Sequence, residues 1–373
     1  MRIALTPEQL ELRSMLREVF SDHCPPTVVR AMKEPLSDGV PAGLWTVLAR
    51  SGLLGLAVDP EYGGEGAGLF ELGLLFAEAG RALCPTVVYS TLRFGVALSR
   101  LGSPEQRKAH LPALAAGELK ASTALSDPSD TGDLAPRLVA ARAGSGSGWS
   151  LSGTLMFVPN AATAELILVT AADPDGVTHG FLVRPGLSGA ATEPLRTIAG
   201  DKQSTLTLAA HPVAEEDALG PLDPDDLRWA ANAGLALQCM EMVGGADAVL
   251  DTTVDYINTR QQFGRTIGSF QAAQHHVANM RIALDAARLA SWQAVWRIGT
   301  GVTGTREVAI AKMAAGEAYK NNTLTAHQLH GGIGFVRETD LHLWSERAKV
   351  TEVQGGTADT AARWLQREIG LLA

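Results

Sequence analysis

Gly299-Thr300-Gly301-Val302-Thr303-Gly304 has the spacing GxGxxG, which cradles a dinucleotide pyrophosphate only where it follows a strand and opens a helix. The residues just before it, 292–298, read as helix, so the segment is expected to be a helix-to-helix turn and no Rossmann-type site is assigned. His327 and His330 stand three apart near Glu338, and His275 adjoins His276. A zinc site would need further ligands at fitting spacing, and none stands out, so these read as structural or interfacial histidines. The serine-nucleophile signature GxSxG does not occur. Cys24, Cys84 and Cys239 are too far apart for a CxxC metal site and too few for a disulfide framework, which fits a reducing, cytoplasmic setting.

The elements that would position such chemistry fall into three textures. Thr6-Pro7-Glu8-Gln9 and Ser103-Pro104-Glu105-Gln106 each combine an N-cap, a first-turn proline and a glutamine three residues after the cap, so each starts a helix. Leu12, Met15, Leu16, Val19 and Phe20 then follow the spacing of one buried helical face. Gly63, Gly64, Gly66 and Gly68 break the helical stretches. From 121 to about 222 the texture changes: Leu166-Ile167-Leu168-Val169 and Thr205-Leu206-Thr207-Leu208 read as short strands. Beyond that, Leu235, Cys239, Met242, Ala246, Val249, Thr253 and Tyr256 form a seven-residue periodic seam of mostly small side chains, suited to a helix packed closely in a bundle. The expected organisation is a mostly α chain with a central β domain: helical 1–120, β 121–222, helical bundle 223–373.

Composition narrows the partners. The chain has 373 residues, enough for two to three domains of ordinary size. With 46% hydrophobic and 19% charged residues it cannot be wholly disordered. A net charge of −9 argues against a broad nucleic-acid surface. No uninterrupted apolar run reaches the roughly 18 residues of a membrane span. Glu8 and Glu11 stand early with no apolar h-region, so no secretion signal is expected.

Several separated stretches, in matching order, resemble the acyl-CoA dehydrogenase family. Leu44-Trp45, Gly52-Leu53-Leu54-Gly55-Leu56 and Glu61-Tyr62-Gly63-Gly64 look like its N-terminal helical domain. Ala124-Leu125-Ser126-Asp127-Pro128 resembles the TEP-type segment that opens its β domain, and Leu151-Ser152-Gly153-Thr154 through Asn160 is similar to the next strand. Arg260-Gln261-Gln262-Phe263-Gly264, Ile267, Phe270-Gln271 and Gln274-His275 resemble its RxxFG…I…FQ…QH helix pair, and Gln328 through Gly334 its QxxGGxG motif. The resemblance implies a helical domain, a β domain and a four-helix bundle, usually assembled as tetramers. It implies FAD, which takes a hydride from the β-carbon of an acyl-CoA while a Glu removes the α-proton, with electrons passed to an electron-transfer flavoprotein. By the same resemblance Arg260, Gln262, Phe263, Gln271, Gln328, Gly331 and Gly332 would reach the FAD of a neighbouring subunit, with Ser126 and Thr357 as further cofactor contacts.

Against that family the chain departs in one functional half. The catalytic Glu of the family's EGT motif falls on Gly355 in Gln354-Gly355-Gly356-Thr357, and the alternative position, 26 residues before Arg260, is Gly234. Glycine has no proton acceptor, so neither position supplies a base. Where the family has Trp and then Thr beside the flavin, Phe157-Val158-Pro159 stands, and proline offers neither N–H nor hydroxyl. Thr131 and Gly132 replace the usual Gly and Ser, and Glu346-Arg347-Ala348 the usual Arg-Asp-Ala. The expectation is a subunit that lacks the base and completes the FAD site of a separately encoded catalytic partner, with a bulky or steroid-side-chain CoA ester as the substrate class the resemblance suggests. Two alternatives stand beside it. One is a self-sufficient flavoenzyme, a dehydrogenase or an oxygenating enzyme, with Glu241, Asp247 or Glu352 as displaced base. The other is a flavin-free module that binds acyl-CoA or a partner.

Overall fold

The computed structural model describes residues 3–143 and 148–372. Both expected capping boxes form. Thr6 Oγ1 accepts from the Gln9 N–H at 3.3 Å while Gln9 Oε1 accepts from the Thr6 N–H at 3.0 Å, and Ser103 and Gln106 repeat the arrangement. They open α1 (Pro7–His23) and the sixth helix of a six-helix layer: α2 (Pro26–Lys33), α3 (Ala42–Arg50), α4 (Leu69–Arg81), α5 (Thr86–Leu101) and α6 (Pro104–Ala115). Of the stripe expected on α1, Leu16 and Phe20 are fully buried, Leu12 and Val19 pack beside them, and Met15 is exposed at the edge.

An eight-stranded sheet follows: β1 (Ala121–Ala124), β2 (Leu138–Arg142), β3 (Trp149–Pro159), β4 (Leu166–Ala172), β5 (Thr178–Val183), β6 (Ala190–Leu195), β7 (Gln203–Val213) and β8 (Ala218–Pro221). Its order is β6-β7-β3-β2-β4-β5-β8, with β1 added parallel to β4. The apolar run on β4 is buried on both faces because successive side chains alternate. Ile167 and Val169 join Leu151, Phe181 and Leu206 in the sheet's own core, while Leu166 and Leu168 pack under Phe94 of α5 and Leu111 of α6.

The C-terminal bundle consists of α7 (Pro224–Thr259), a two-stranded hairpin of β9 (Gln261–Gln262) and β10 (Arg265–Thr266), then α8 (Gln271–Gly299), α9 (Thr305–His330), α10 (Leu341–Val353) and α11 (Ala358–Glu368). The seam on α7 is buried from Leu235 through Thr253. Its small residues permit close approach to α4: a Cβ on Gly244 would stand 1.7 Å from the Ala77 carbonyl oxygen. One expectation needs revision. α7 does contain an 18-residue window of mean hydropathy 1.2, long and apolar enough to cross a membrane, but 89% of that window is buried among the other helices. Its apolarity belongs to the bundle core. The glycine-rich segment 299–304 joins α8 to α9, with Gly304 left-handed at φ 59°, as a helix-to-helix turn should.

Candidate functional site

Both glycines in question line one cavity of about 140 Å³, bounded by α5, the ends of β1 and β3, α7 and the turn after α10 and open to solvent beside Met156 and Phe157. Gly234 sits in the middle of α7, where a Cβ would meet nothing nearer than Arg93 Cδ at 3.8 Å. Gly355 differs in kind. It lies at φ +75°, a conformation that side chains rarely adopt, and a Cβ there would stand 2.9 Å from Thr131 Oγ1 and 3.0 Å from Leu235 Cδ1. Its backbone is committed as well: the Gly355 N–H donates to Pro128 O at 2.7 Å, and Gly355 O accepts from the Thr131 N–H at 3.0 Å.

That pairing ties the loop 127–133 to the turn after α10. Arg228 donates to Thr131 O and Gly132 O at 2.9 and 2.8 Å, and Trp364 Nε1 donates to Asp130 Oδ1 at 2.8 Å, so both ends of the loop are held. Ser126 lines the cavity half-buried; Thr357 lies outside it as the exposed N-cap of α11, its Oγ1 accepting from the Thr360 N–H. Phe157 lies partly exposed at the cavity rim, at φ +55° in an irregularity of the β3–β7 register, and Pro159 lines the cavity with its carbonyl oxygen accepting from Ser122 Oγ at 2.6 Å.

The remaining sequence-selected residues gather elsewhere. Arg260 caps α7; Gln262 and Phe263 lie on the hairpin; Gln271 opens α8; Gln328, Gly331 and Gly332 end α9. All are exposed, Phe263 at 92% and at φ +54°. Tyr256 of α7 stacks on His330 of α9 with ring centroids 4.2 Å apart, which brings the two groups to one end of the bundle. Arg260, the C-cap of α7, stands 26 positions beyond Gly234 along continuous helix, a rise of about 39 Å. The structure therefore divides the sequence-selected residues into an enclosed set near the cavity and an open set at the far end of α7.

Of the three carboxylates that could replace a base, only Glu241 faces the cavity. Asp247 is held by Arg81 at 2.7 Å and Arg288 at 2.9 Å, and Glu352 by Lys320 and Lys349, all away from it. Burial raises the pKa of the Glu241 carboxyl, and the nearby Arg347 and Arg93 guanidiniums oppose that rise. Arg347 Nε stands 3.6 Å from Glu241 Oε1. Sequence reasoning noted Arg347 only as a departure and passed over Arg93, because α5, α7 and α10 bring them together and no local spacing marks them. The histidines are structural: His327 bonds Ser345 Oγ through Nε2 at 2.5 Å and stacks on Phe335, and His330 Nδ1 bonds Ala326 O at 2.8 Å. His275 and His276 are exposed on α8. Among the described residues no group of three or more His, Cys, Asp or Glu is placed to hold a metal ion.

Comparison with known proteins places the fold. Residues 6–118 match the family model for the acyl-CoA dehydrogenase N-terminal domain and residues 227–370 that for its C-terminal domain. A probable acyl-CoA dehydrogenase of Bacillus subtilis, YngJ, is 27% identical over 99% of this chain and all of its own length. Among solved structures, a variant of the Tcur3481-Tcur3483 steroid ACAD superposes with a TM-score of 0.88 at 33% identity, covering 98% of both chains. The ChsE4-ChsE5 complex from Mycobacterium tuberculosis gives 0.90 at 27% identity over the full length of both. The chain belongs to the acyl-CoA dehydrogenase family.

Proposed function

We propose that this chain is the subunit without a catalytic base in an acyl-CoA dehydrogenase built from two kinds of chain. FAD is the cofactor of this family; when bound it accepts the hydride from the acyl β-carbon. The chain's own cavity does not fit that cofactor. A cavity of about 150 Å³ holds one benzene ring. The sheltered part of this space, about 140 Å³, is smaller than a three-ring isoalloxazine together with an acyl thioester, and the rest opens to solvent beside Met156 and Phe157. Neither glycine that faces it can accept a proton. The open end of the bundle suits a cofactor seated in another subunit: Arg260 offers a guanidinium for a bridging pyrophosphate, Phe263 an aromatic face, and Gly331 and Gly332 a backbone that a ligand can approach closely.

The observation that carries the reading is the rise of about 39 Å between Gly234 and Arg260. One dinucleotide cannot place its flavin ring at the first and its pyrophosphate at the second. The open set therefore serves a nucleotide other than one seated at this chain's own cavity, and that nucleotide sits on a partner. The catalytic partner supplies the Glu and most flavin contacts; the acyl-CoA binds there, and its electrons leave to an electron-transfer flavoprotein. The likeness to a steroid ACAD assembly and to a two-component complex supports both the pairing of unlike chains and a bulky or steroid-side-chain CoA ester as substrate class. The three buried free cysteines suit a reducing, cytoplasmic setting.

The test is expression of the chain alone and together with candidate catalytic partners encoded nearby, followed by flavin per chain and acyl-CoA oxidation. The chain alone should hold no stoichiometric FAD and oxidise nothing, and a co-purified complex should hold one FAD for each pair of unlike chains. A lone homomer with one FAD per chain that oxidises an acyl-CoA overturns the proposal. A second reading has one observation in its favour, since Glu241 faces the cavity. If it were the base, Glu241→Gln would abolish turnover by such a homomer.

A further inference from the structure

The turn that ends α9 is held by histidine rings, two of which keep a buried nitrogen without a partner. Gly331–Phe335 forms a single 3-10 turn, and Gly334 within it has no room for a side chain: a Cβ there would stand 3.0 Å from His330 Cβ and 3.2 Å from His327 O. His327 bonds Ser345 Oγ of α10 through Nε2 and stacks on Phe335 with ring centroids 4.8 Å apart. His330 donates Nδ1–H to Ala326 O at 2.8 Å and stacks on Tyr256 of α7, whose hydroxyl donates to His330 O at 3.3 Å. His342 of α10 completes the group. Nδ1 of His327 and Nδ1 of His342 are both buried with no hydrogen-bond partner.

An imidazolium carries two N–H donors, so a second proton on His327 or His342 needs an acceptor that the packed turn does not offer. The charges that act on His327 are those of His330 and His342, which would repel it. The carboxylates that act on His342, Asp340 and Glu346, are held by Arg30 and Lys33 of α2. Arg337 and Glu338 lie exposed beyond the turn, and His275 and His276 lie exposed on α8. We infer that the three rings form a proton-operated latch: neutral, they hold the Gly331–Phe335 turn in place; protonated, they release it, and with it the surface that Gly331 and Gly332 offer to a partner's cofactor. The second half rests on the subunit reading, and the first concerns this chain alone. Burial lowers the pKa of all three rings, opposed at His327 by the Gly334 backbone and at His330 by that of Ala326. With the folded value below the usual 6.5, the released turn binds more protons. The latch is therefore complete above pH 6.5 and is lost as the pH falls below it. One ring that takes its proton only in the released turn favours release by about tenfold between pH 7.5 and 5.5.

Hydrogen–deuterium exchange of the full chain at pH 7.5 and 5.5, corrected for the intrinsic pH dependence of amide exchange, reads the latch directly. Protection of the 331–335 amides should fall about tenfold or more at pH 5.5, while the amides of β4 keep theirs. His327→Gln cannot gain a charge, so its turn should be equally protected at the two pH values. His342→Gln should reduce the fall, and serves should His327→Gln fail to fold. Equal protection of the natural turn at both pH values, or an undiminished fall in the folded variants, overturns the latch. In a complex with the catalytic partner, gel filtration at pH 5.5 should strip flavin that is kept at pH 7.5, and His327→Gln should keep it at both. Flavin retained at pH 5.5 while the lone chain releases its turn overturns the link to the partner's cofactor. Failure of the subunit reading shows instead as the absence of any such complex, and leaves the exchange result standing.

Discussion

Restoring a carboxylate separates the two glycines. At Gly355 the φ of +75° costs any L-residue roughly 1–2 kcal/mol. Its Cβ would press on Thr131 Oγ1 and Leu235 Cδ1 at 2.9 and 3.0 Å, and overpacking of that kind costs about 1–3 kcal/mol more. Gly355→Glu is therefore expected to lose about 2–5 kcal/mol, with the melting temperature falling about 2–4 °C for each kcal/mol. Gly234→Glu has the opposite expectation. The nearest atom is Arg93 Cδ at 3.8 Å, the helix gains about 0.5–1 kcal/mol from losing a mid-helix glycine, and the new carboxylate meets an unpaired guanidinium. Thermal and urea denaturation of the two variants side by side, with acyl-CoA oxidation by each alone, make the assay. Gly234→Glu should melt at or above the natural chain, Gly355→Glu well below it, and neither should oxidise an acyl-CoA. A Gly355→Glu protein of natural stability would refute the strain argument. Strong turnover by the lone Gly234→Glu chain would refute the closed ring pocket.

The other predictions address the end and the middle of α7 and the turn between α10 and α11. Arg260→Ala in the assembled complex should weaken FAD about tenfold to a hundredfold, the worth of a charge-assisted bond at roughly 1.5–3 kcal/mol, read as flavin lost on dilution and gel filtration. Unchanged flavin content would show that Arg260 touches no cofactor. Glu241→Gln should leave complex turnover within about twofold, yet cost stability of roughly 3–5 kcal/mol because the buried Arg347 is left without its carboxylate. Lys312, buried and donating to Thr351 O and Gln354 O, has its pKa lowered by burial to about 8. A lysine whose folded pKa lies below its unfolded value leaves the unfolded chain holding more protons between pH 8 and 10.5, so its contribution to stability rises with pH there, by about 3 kcal/mol in full. Lys312→Met should remove that rise. The difference between natural and variant stability at pH 8 and pH 10 isolates it from Cys84, Cys239 and Tyr89, whose raised pKa values act the other way.

What could be read in the sequence was what short stretches of chain decide. The boxes at Thr6 and Ser103 are closed within four residues, the α7 seam within each heptad, and both appear as expected. The β4 run was legible as a strand, though its burial on both faces needed the sheet between two cores. Met15 left the α1 stripe because only a partner surface fixes where a buried face ends. The quartet of Tyr89, Arg93, Glu241 and Arg347 could not be read at all, since three helices separated by more than a hundred residues each supply a part. Resemblance to a family located the two glycines, but it said nothing of what their backbone does.

That backbone couples position 355 to the β domain. At φ +75° Gly355 can turn both its N–H and its carbonyl toward the loop 127–133, giving the two bonds to Pro128 and Thr131 that close the loop over the turn. A glutamate strained in the same conformation would push Thr131 away and break that pairing. Glycine at 355 therefore combines two properties: it carries no proton acceptor, and its backbone holds the loop 127–133 against the turn after α10. The far end of α7 feels none of this, being about 39 Å of helix away. Its exposed arginine, aromatic ring and glycine turn would have no reason to stay together on a chain with a closed pocket unless a second chain uses them.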